Sequence, residues 1–318
     1  MDEERVVTVD LGHEVHGLDT LMSGYEGITA GYLIASDRPC LVETGTARSA
    51  PAVQRALASL GIGPGDLATI AVTHIHLDHA GGVGDLAEAY PNAEVVVHQR
   101  GARHLADPSK LMGSAQRVFG DLMDTVFGEL RPTDSDRIRA VDEVGSIDLG
   151  GGRTLTTYYS PGHAQHHVGL LDSASGDLYV GDAAGIFIPE TGAIRPSTPP
   201  PDFDLDTALV SLRHFADLAP QRLLFSHFGP VDHVGPALEE AADELLDWVA
   251  GVTEARANAL DLDHAVRMLR ERTAQRYGRL YTDPALDEKF ELLNSTAANI
   301  NGINRWLDQL EASQPDRS

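Results

Sequence analysis

The chain has 318 residues, 42% of them apolar, enough for a sizeable core in one large domain or one domain with an appendage. Its 48 acidic residues outnumber 24 basic ones, and the net charge of −24 repels a phosphate backbone, which argues against a nucleic-acid partner. No run of about 18 or more apolar residues is present, the start Met1-Asp2-Glu3-Glu4-Arg5 lacks the pattern of a signal peptide, and the lone Cys40 can form no internal disulfide; a cytoplasmic protein without membrane contact is expected.

Early strands are expected over residues 6–9, 19–22 and 29–34, with another from Pro39 to Val42 running into Glu43-Thr44-Gly45. A helix follows over residues 50–60, with Gly61 as its stop. Residues 67–73 form an apolar, β-branched run that reads as a buried strand. It delivers the most informative stretch, His74-Ile75-His76-Leu77-Asp78-His79, which is followed by Ala80-Gly81-Gly82. Imidazole and carboxylate are the groups that hold zinc and its neighbours at neutral pH. In a loop leaving a strand they can converge without competing with a hydrogen-bond ladder, and burying so many titratable groups without a metal is costly.

A helix near residues 85–90 and the strand Glu94–His98 come next. Phe119, Leu122, Met123, Val126, Phe127 and Leu130 then recur at three-to-four spacing, the stripe of a helix over residues 110–130 that packs on the core or, more sharply, lids a pocket. Strands recur over residues 141–180. Pro161-Gly162-His163 follows the strand-like residues 155–159, Gly181-Asp182 follows Leu178-Tyr179-Val180, and His227 follows Leu223-Leu224-Phe225-Ser226 after a helix over residues 205–218. Beyond residue 235 the pattern is helical, with one stripe at Leu238, Ala242, Leu245, Val249 and Val252 and another at Leu286, Phe290, Leu293, Ala297, Ile300, Leu307 and Leu310. The basic run Arg267, Arg270, Arg272, Arg276 and Arg279 reads as a solvated face, with binding of an acidic substrate or partner as the alternative. Gly150-Gly151-Gly152 lacks the Lys-Ser/Thr of a phosphate loop and reads as a turn. The expected division is a catalytic domain over residues 1–235 and a C-terminal helical extension over residues 236–318.

The run from His74 to His79 resembles the His-x-His-x-Asp-His signature of the metallo-β-lactamase superfamily, and His163, Asp182 and His227 follow in the order of that family's remaining ligands. The resemblance spans residues 17–235. It implies an α+β fold, a four-layer αβ/βα metallo-β-lactamase sandwich with a C-terminal helical extension. It also implies two divalent metal ions, zinc first, with iron or manganese as alternatives. His74, His76 and His163 bind the first ion in this pattern, Asp78, His79 and His227 the second, and Asp182 bridges both beside a hydroxide. Asp78 and Asp182 are then the catalytic carboxylates, while His166 and His167 orient a ligand or simply pack.

The activity that the resemblance implies is metal-dependent hydrolysis of an ester, thioester or lactone carbonyl in a small-molecule substrate, by attack of the bridging hydroxide. Subfamily marks narrow it little. Acyl-homoserine lactonases place a Tyr three residues after the bridging Asp, where this chain has Gly185, and glyoxalase II carries a Cys- and Arg-containing run in place of Ala183-Ala184-Gly185-Ile186-Phe187. The segment from Arg195 to Asp204, with Gly162-His163 and His227-Phe228-Gly229-Pro230, looks like a widespread group of metallo-hydrolases. The alternatives are a mononuclear iron enzyme like the persulfide dioxygenases, using His74, His163 and Asp182, and a non-catalytic metal-binding scaffold. A homo-oligomer is left open.

Overall fold

The computed structural model describes residues 5–313, the side chain of Leu293 excepted; the start read above, residues 1–4, lies outside them. The chain divides into two compact units. The first runs up to Tyr159 and adds His166–Gly181 and Pro220–Asp232; the second comprises Ser160–Gln165, Asp182–Ala219 and the chain from His233 onward.

The first unit holds two sheets. One has seven strands in chain order: β1 (Thr8–Asp10), β2 (Val15–Asp19), β3 (Ala30–Ile34), β4 (Cys40–Val42), β5 (Thr69–Ala71), β6 (Glu94–His98) and β7 (Ile138–Val141). β1 to β4 pair antiparallel and β4 to β7 parallel. Parallel neighbours need crossovers, and helices supply them: α1 (Ala50–Ser59) between β4 and β5, α2 (Leu77–Ala80) and α3 (Val83–Ala89) before β6, then α4 (Gln99–Ala106) and α5 (Ser109–Phe119) before β7. The other sheet takes β8 (Val144–Asp148), β9 (Thr154–Tyr159), β10 (Val168–Asp172), β11 (Asp177–Gly181), β14 (Arg222–Phe225) and β15 (Gly229–Val231), in the order β15-β14-β11-β10-β9-β8.

Alternation along the strands builds the core between these sheets. Ala30, Tyr32 and Ile34 of β3 point into it, as do Cys40 and Val42, Ala71, Val96, and from the second sheet Leu155, Leu170, Tyr179 and Leu224. Tyr32, Val42, Ala71 and Val96 lie in register across four strands. The Tyr32 hydroxyl donates to the carbonyl of Phe225, joining the sheets through a polar bond inside the apolar layer. Cys40 is the small buried strand residue its position implies, and burial pushes its thiol up to about 12.

Two expected elements differ. The strand expected over residues 19–22 ends at Asp19, because the Asp19 carboxylate accepts the N–H groups of Leu21 at 2.9 Å and Gly27 at 2.7 Å and turns the chain. The helix expected over residues 110–130 is broken. α5 stops at Phe119, Gly120 takes φ 53°, and a π-turn follows over Met123–Phe127. The stripe is split with it: Phe119 and Leu122 are exposed, while Met123, Val126, Phe127 and Leu130 are buried.

The second unit carries the hairpin β12 (Ile186–Ile188) and β13 (Ala193–Arg195), then α6 (Leu205–Asp217), α7 (Val234–Ala257), α8 (Leu262–Thr282), α9 (Pro284–Leu293) and α10 (Thr296–Ser313). Asp204, Asp261 and Asp283 cap α6, α8 and α9 by accepting backbone N–H groups of the first turn. On α7, Leu238, Leu245, Trp248, Val249 and Val252 are buried. Of the arginines of α8, Arg267, Arg272, Arg276 and Arg279 are exposed, as a solvated face implies, and three also form ion pairs: Arg270 with Asp287, Arg272 with Asp247 and Glu254, and Arg276 with Asp247 and Glu244. Each neighbouring helix places an acid within reach, so part of the chain's acidic surplus is balanced locally. Among the described residues no helix is long and apolar enough to cross a membrane.

Arg195 is 1% exposed, and its charge is met by Glu291 at 2.9 Å, with the Thr296 hydroxyl accepting at 2.8 Å. Burial alone would raise the Glu291 carboxyl, but the Arg195 charge and the hydrogen bonds from Thr296 outweigh it and hold the carboxyl below its usual range. A depressed folded-state value means stability that is present above the unfolded value of about 4.3 and lost as pH falls through the folded one. The chain should therefore lose stability below about pH 4. Glu291→Gln should show a lower urea midpoint at pH 7 and a flatter decline on acidification.

Candidate metal centre

The predicted ligands sit where strands end. β5 stops at Ala71, and Val72 and Thr73 lead into His74. His76 is the extended residue before α2, so Asp78 and His79 lie in that helix's short single turn. Thr44, just past β4, fastens this turn, its backbone N–H and its hydroxyl both donating to the His79 carbonyl at 2.9 and 2.7 Å. His227 follows β14 by two residues, Asp182 follows β11 directly, and His163 stands four past β9. Five of the seven predicted ligands belong to the first unit and two to the second.

In the first unit Asp78, His79 and His227 form a group of donor atoms able to hold an ion. The two Nε2 atoms of His79 and His227 are 3.1 Å apart, and an Asp78 carboxylate oxygen lies 3.6 Å from one and 3.5 Å from the other. Donors of a tetrahedral ion with bonds of about 2.0–2.1 Å stand about 3.3 Å apart, so the triangle has the right size. His74 Nε2 and His76 Nδ1 face each other at 3.0 Å in the same unit.

The far side of three of these rings is also held. His79 Nδ1 meets a Glu43 carboxylate oxygen at 2.5 Å, His227 Nδ1 meets the carbonyl of Ile28 at 2.8 Å, and His74 Nδ1 meets the Thr73 hydroxyl at 2.9 Å. A carbonyl or carboxylate can only accept, so Nδ1 of His79 and His227 carries the proton and Nε2 presents its lone pair. His74, His79 and His227 are almost fully buried. The donor types, spacing and tautomers fit a divalent ion of the zinc class.

Glu43 escaped the sequence reading. It is 1% exposed just past β4, has φ 67°, and its second oxygen accepts the Thr73 N–H at 2.6 Å. One carboxylate thus ties the start of the metal loop to a ring at its end. The available signal was a charged residue closing an apolar strand. His166 and His167 lie against the loop as well: the His167 ring is 5.1 Å from that of His74, and the His166 ring is 5.6 Å from that of His76.

In the second unit His163 Nε2 and an Asp182 oxygen are 3.6 Å apart. Ser197 serves both: its carbonyl accepts from His163 Nδ1 at 3.0 Å, and its hydroxyl donates to Asp182 at 3.1 Å. Ser197 is the other residue the sequence reading missed in this role. A small concavity beside them is lined by Ala183, Pro196, Phe203, Ala208, Ala241 and Leu245. Gly185 has φ +83°, and a Cβ there would stand 2.5 Å from the Arg195 carbonyl, so the place where lactonases carry Tyr accepts no side chain.

Residues 24–227 match the metallo-beta-lactamase superfamily. The chain belongs to that superfamily. It has the metallo-β-lactamase fold of two mixed sheets flanked by helices, followed by the C-terminal helices α7 to α10. The metallo-beta-lactamase fold-containing protein ST1585 of Sulfurisphaera tokodaii is 34% identical over 165 residues, 51% of this chain and 60% of the relative. The crystal structure of ST1585 superposes with a TM-score of 0.63 at 28% identity, covering 74% of this chain and 86% of that one. The N-acyl homoserine lactonase AttM of Azorhizobium caulinodans is 33% identical over 36% of this chain and 38% of its own length. Bacillus subtilis YqjP, named a probable metallo-hydrolase, is 25% identical over 67% of this chain and 71% of its own length. The aligned region thus covers less than two thirds of ST1585 and of AttM.

The Glu43 arrangement leads to a direct test. In Glu43→Gln the amide oxygen can keep the Thr73 N–H, which turns the NH₂ toward His79 and favours the tautomer with the proton on Nε2. Affinity for zinc, measured by competition with a chromogenic chelator, should fall by about 10- to 100-fold.

Proposed function

We propose that this chain is a metal-dependent hydrolase that binds two divalent ions and cleaves a small carboxylic ester, thioester or lactone. In this reading His74, His76 and His163 hold one ion, Asp78, His79 and His227 the other, and Asp182 is shared. The observation that carries it is the Asp78, His79 and His227 triangle, whose edges of 3.1–3.6 Å match a coordinated ion while the outer nitrogens of both imidazoles are engaged. Superfamily membership and the ligand order along the chain support extending it to the remaining residues. A complete second donor group also favours two ions over the single iron of a persulfide dioxygenase.

Ions held by such donors supply Lewis acidity and water of lowered pKa. The protein's own part is to keep the imidazoles neutral and correctly turned, and to hold carboxylates where positive charge is densest. Asp78 is the partly exposed member of its triangle, with 18% of its side chain accessible against 1% for both His79 and His227. It is therefore the ligand placed to orient an incoming group from solvent. The likeness to AttM supports an ester-like carbonyl as target, and Gly185 argues against the lactonases' own leaving-group contact.

Elemental analysis of the purified protein should approach two zinc, iron or manganese ions per chain; saturation at one would sink the two-ion reading. Against a panel of p-nitrophenyl esters, lactones and thioesters, Asp182→Ala should lower turnover by orders of magnitude while the circular dichroism spectrum is retained. His166→Ala should cost far less, because that ring adjoins the loop without belonging to a donor group.

A further inference from the structure

We propose that Ser197 is a positioning residue for His163 and Asp182, and that the C-terminal helices exist in part to hold it there. The proposal rests on the reading of His163 and Asp182 as metal ligands. Ser197 is the fourth residue of a five-residue strap, Ile194-Arg195-Pro196-Ser197-Thr198, that begins in β13 and runs on beyond its end. Its carbonyl oxygen accepts the Nδ1 proton of His163, and its hydroxyl donates to Asp182. The first contact leaves Nε2 of His163 as the donor, and the second fixes the rotation of the Asp182 carboxylate.

The other four residues of the strap are bound to the helices. The Ile194 N–H donates to Glu240 of α7 at 2.9 Å, and its carbonyl shares with Glu244 the single proton of the Tyr277 hydroxyl of α8, which lies 2.9 Å from that carbonyl. Arg195 donates to Glu291 of α9 and Thr296 of α10. The Pro196 carbonyl accepts from Asn294 at 3.2 Å. The Thr198 N–H and hydroxyl both donate to Asn299 Oδ1 of α10, at 2.6 and 2.9 Å. α10 reaches the strap so closely at Gly302 that a Cβ there would stand 1.8 Å from the Thr198 carbonyl.

An apolar seam would suffice if this segment only anchored a helical tail. The contacts are instead directional and polar on both flanks of Ser197, and they leave its carbonyl and hydroxyl turned to the two ligands. A ligand a few tenths of an ångström or some tens of degrees out of place loses affinity, so groups that fix it are felt in metal binding. The strap thereby makes four helices outside the metal loop part of the ligand geometry.

The test is cobalt(II) binding to the full chain after metal removal, read by chelator competition and by the visible spectrum, beside the melting temperature of the metal-free protein. Ser197→Ala should weaken cobalt binding about 10-fold and alter the spectrum, with the metal-free melting temperature little changed. Asn299→Ala should weaken binding similarly while also lowering that temperature, and the double variant should bind no more weakly than the weaker single one. If Asn299→Ala does not fold, Thr198→Val, which keeps the backbone bond to Asn299, decides the same point. Wild-type affinity and spectrum in Ser197→Ala, together with loss of binding in His163→Ala and Asp182→Ala, would overturn the positioning role and leave the ligand reading intact. Additive losses in the double variant would overturn the part assigned to the helices. Unaltered binding in His163→Ala and Asp182→Ala would remove the ligand reading and this proposal with it.

Discussion

A neutral imidazole has one lone pair to give, and which nitrogen gives it depends on what the other nitrogen holds. That constraint governs much of what surrounds the candidate ligands of each unit. Ile28 supplies a carbonyl to His227, Glu43 a carboxylate to His79, and Ser197 a carbonyl to His163. Each partner is delivered by a different piece of chain: the segment before β3, the end of β4, and the strap after β13. The candidate ligands of the first unit come from distant positions and need a fold stiff enough to set distances of a few tenths of an ångström, and the layer between that unit's two sheets provides one, with Val15, Ile34, Val42, Leu155 and Leu224 all fully buried.

The same logic explains why carboxylates that ligate nothing are buried nearby. Glu43 is enclosed, yet both its oxygens are engaged, by the Thr73 N–H and the His79 ring. A buried carboxylate without such partners is costly. With them it turns a flexible loop into a fixed one, since the residue before His74 and the last residue of the motif are held by one side chain. In the second unit the arrangement repeats in a different currency of contacts: Arg195 is enclosed against Glu291 and Thr296, and Glu244 is enclosed against Tyr277 and Arg276. Burial pushes the Glu244 carboxyl up, with the Tyr277 hydroxyl and the Arg276 charge opposing it.

Much of the fold was legible in the sequence because its signals are local. Residues 50–60, 94–98 and 205–218 carry strong periodicity or β-branched runs, and the helices α1 and α6 and the strand β6 lie there. The motif at His74 to His79 was legible for the same reason, its donors being packed into six residues. What was missed depends on contacts remote in sequence. Glu43 reads as an ordinary strand-end acid until His79, 36 residues on, is seen beside it. Ser197 reads as part of a proline-rich loop until His163 and Asp182 are placed. The stripe over residues 110–130 misled because spacing ignores one glycine: Gly120 ends α5 and sends Phe119 to the surface while Phe127 turns inward. The ion pairs of Arg270, Arg272 and Arg276 were not legible because their acids lie on α7 and α9.

Gly185 bears on how this chain could change. Its backbone is left-handed, and the Arg195 carbonyl occupies the space a side chain would need. No single substitution can therefore install a tyrosine there. The hairpin from Ile186 to Arg195 would first have to shift, and that hairpin leads directly into the strap carrying Ser197. Acquiring the lactonases' residue would thus be epistatic with the geometry at His163 and Asp182: the first mutation on that path would disturb their contacts with Ser197 before the second could supply a benefit. A lineage with this hairpin is channelled toward changes elsewhere on the pocket wall.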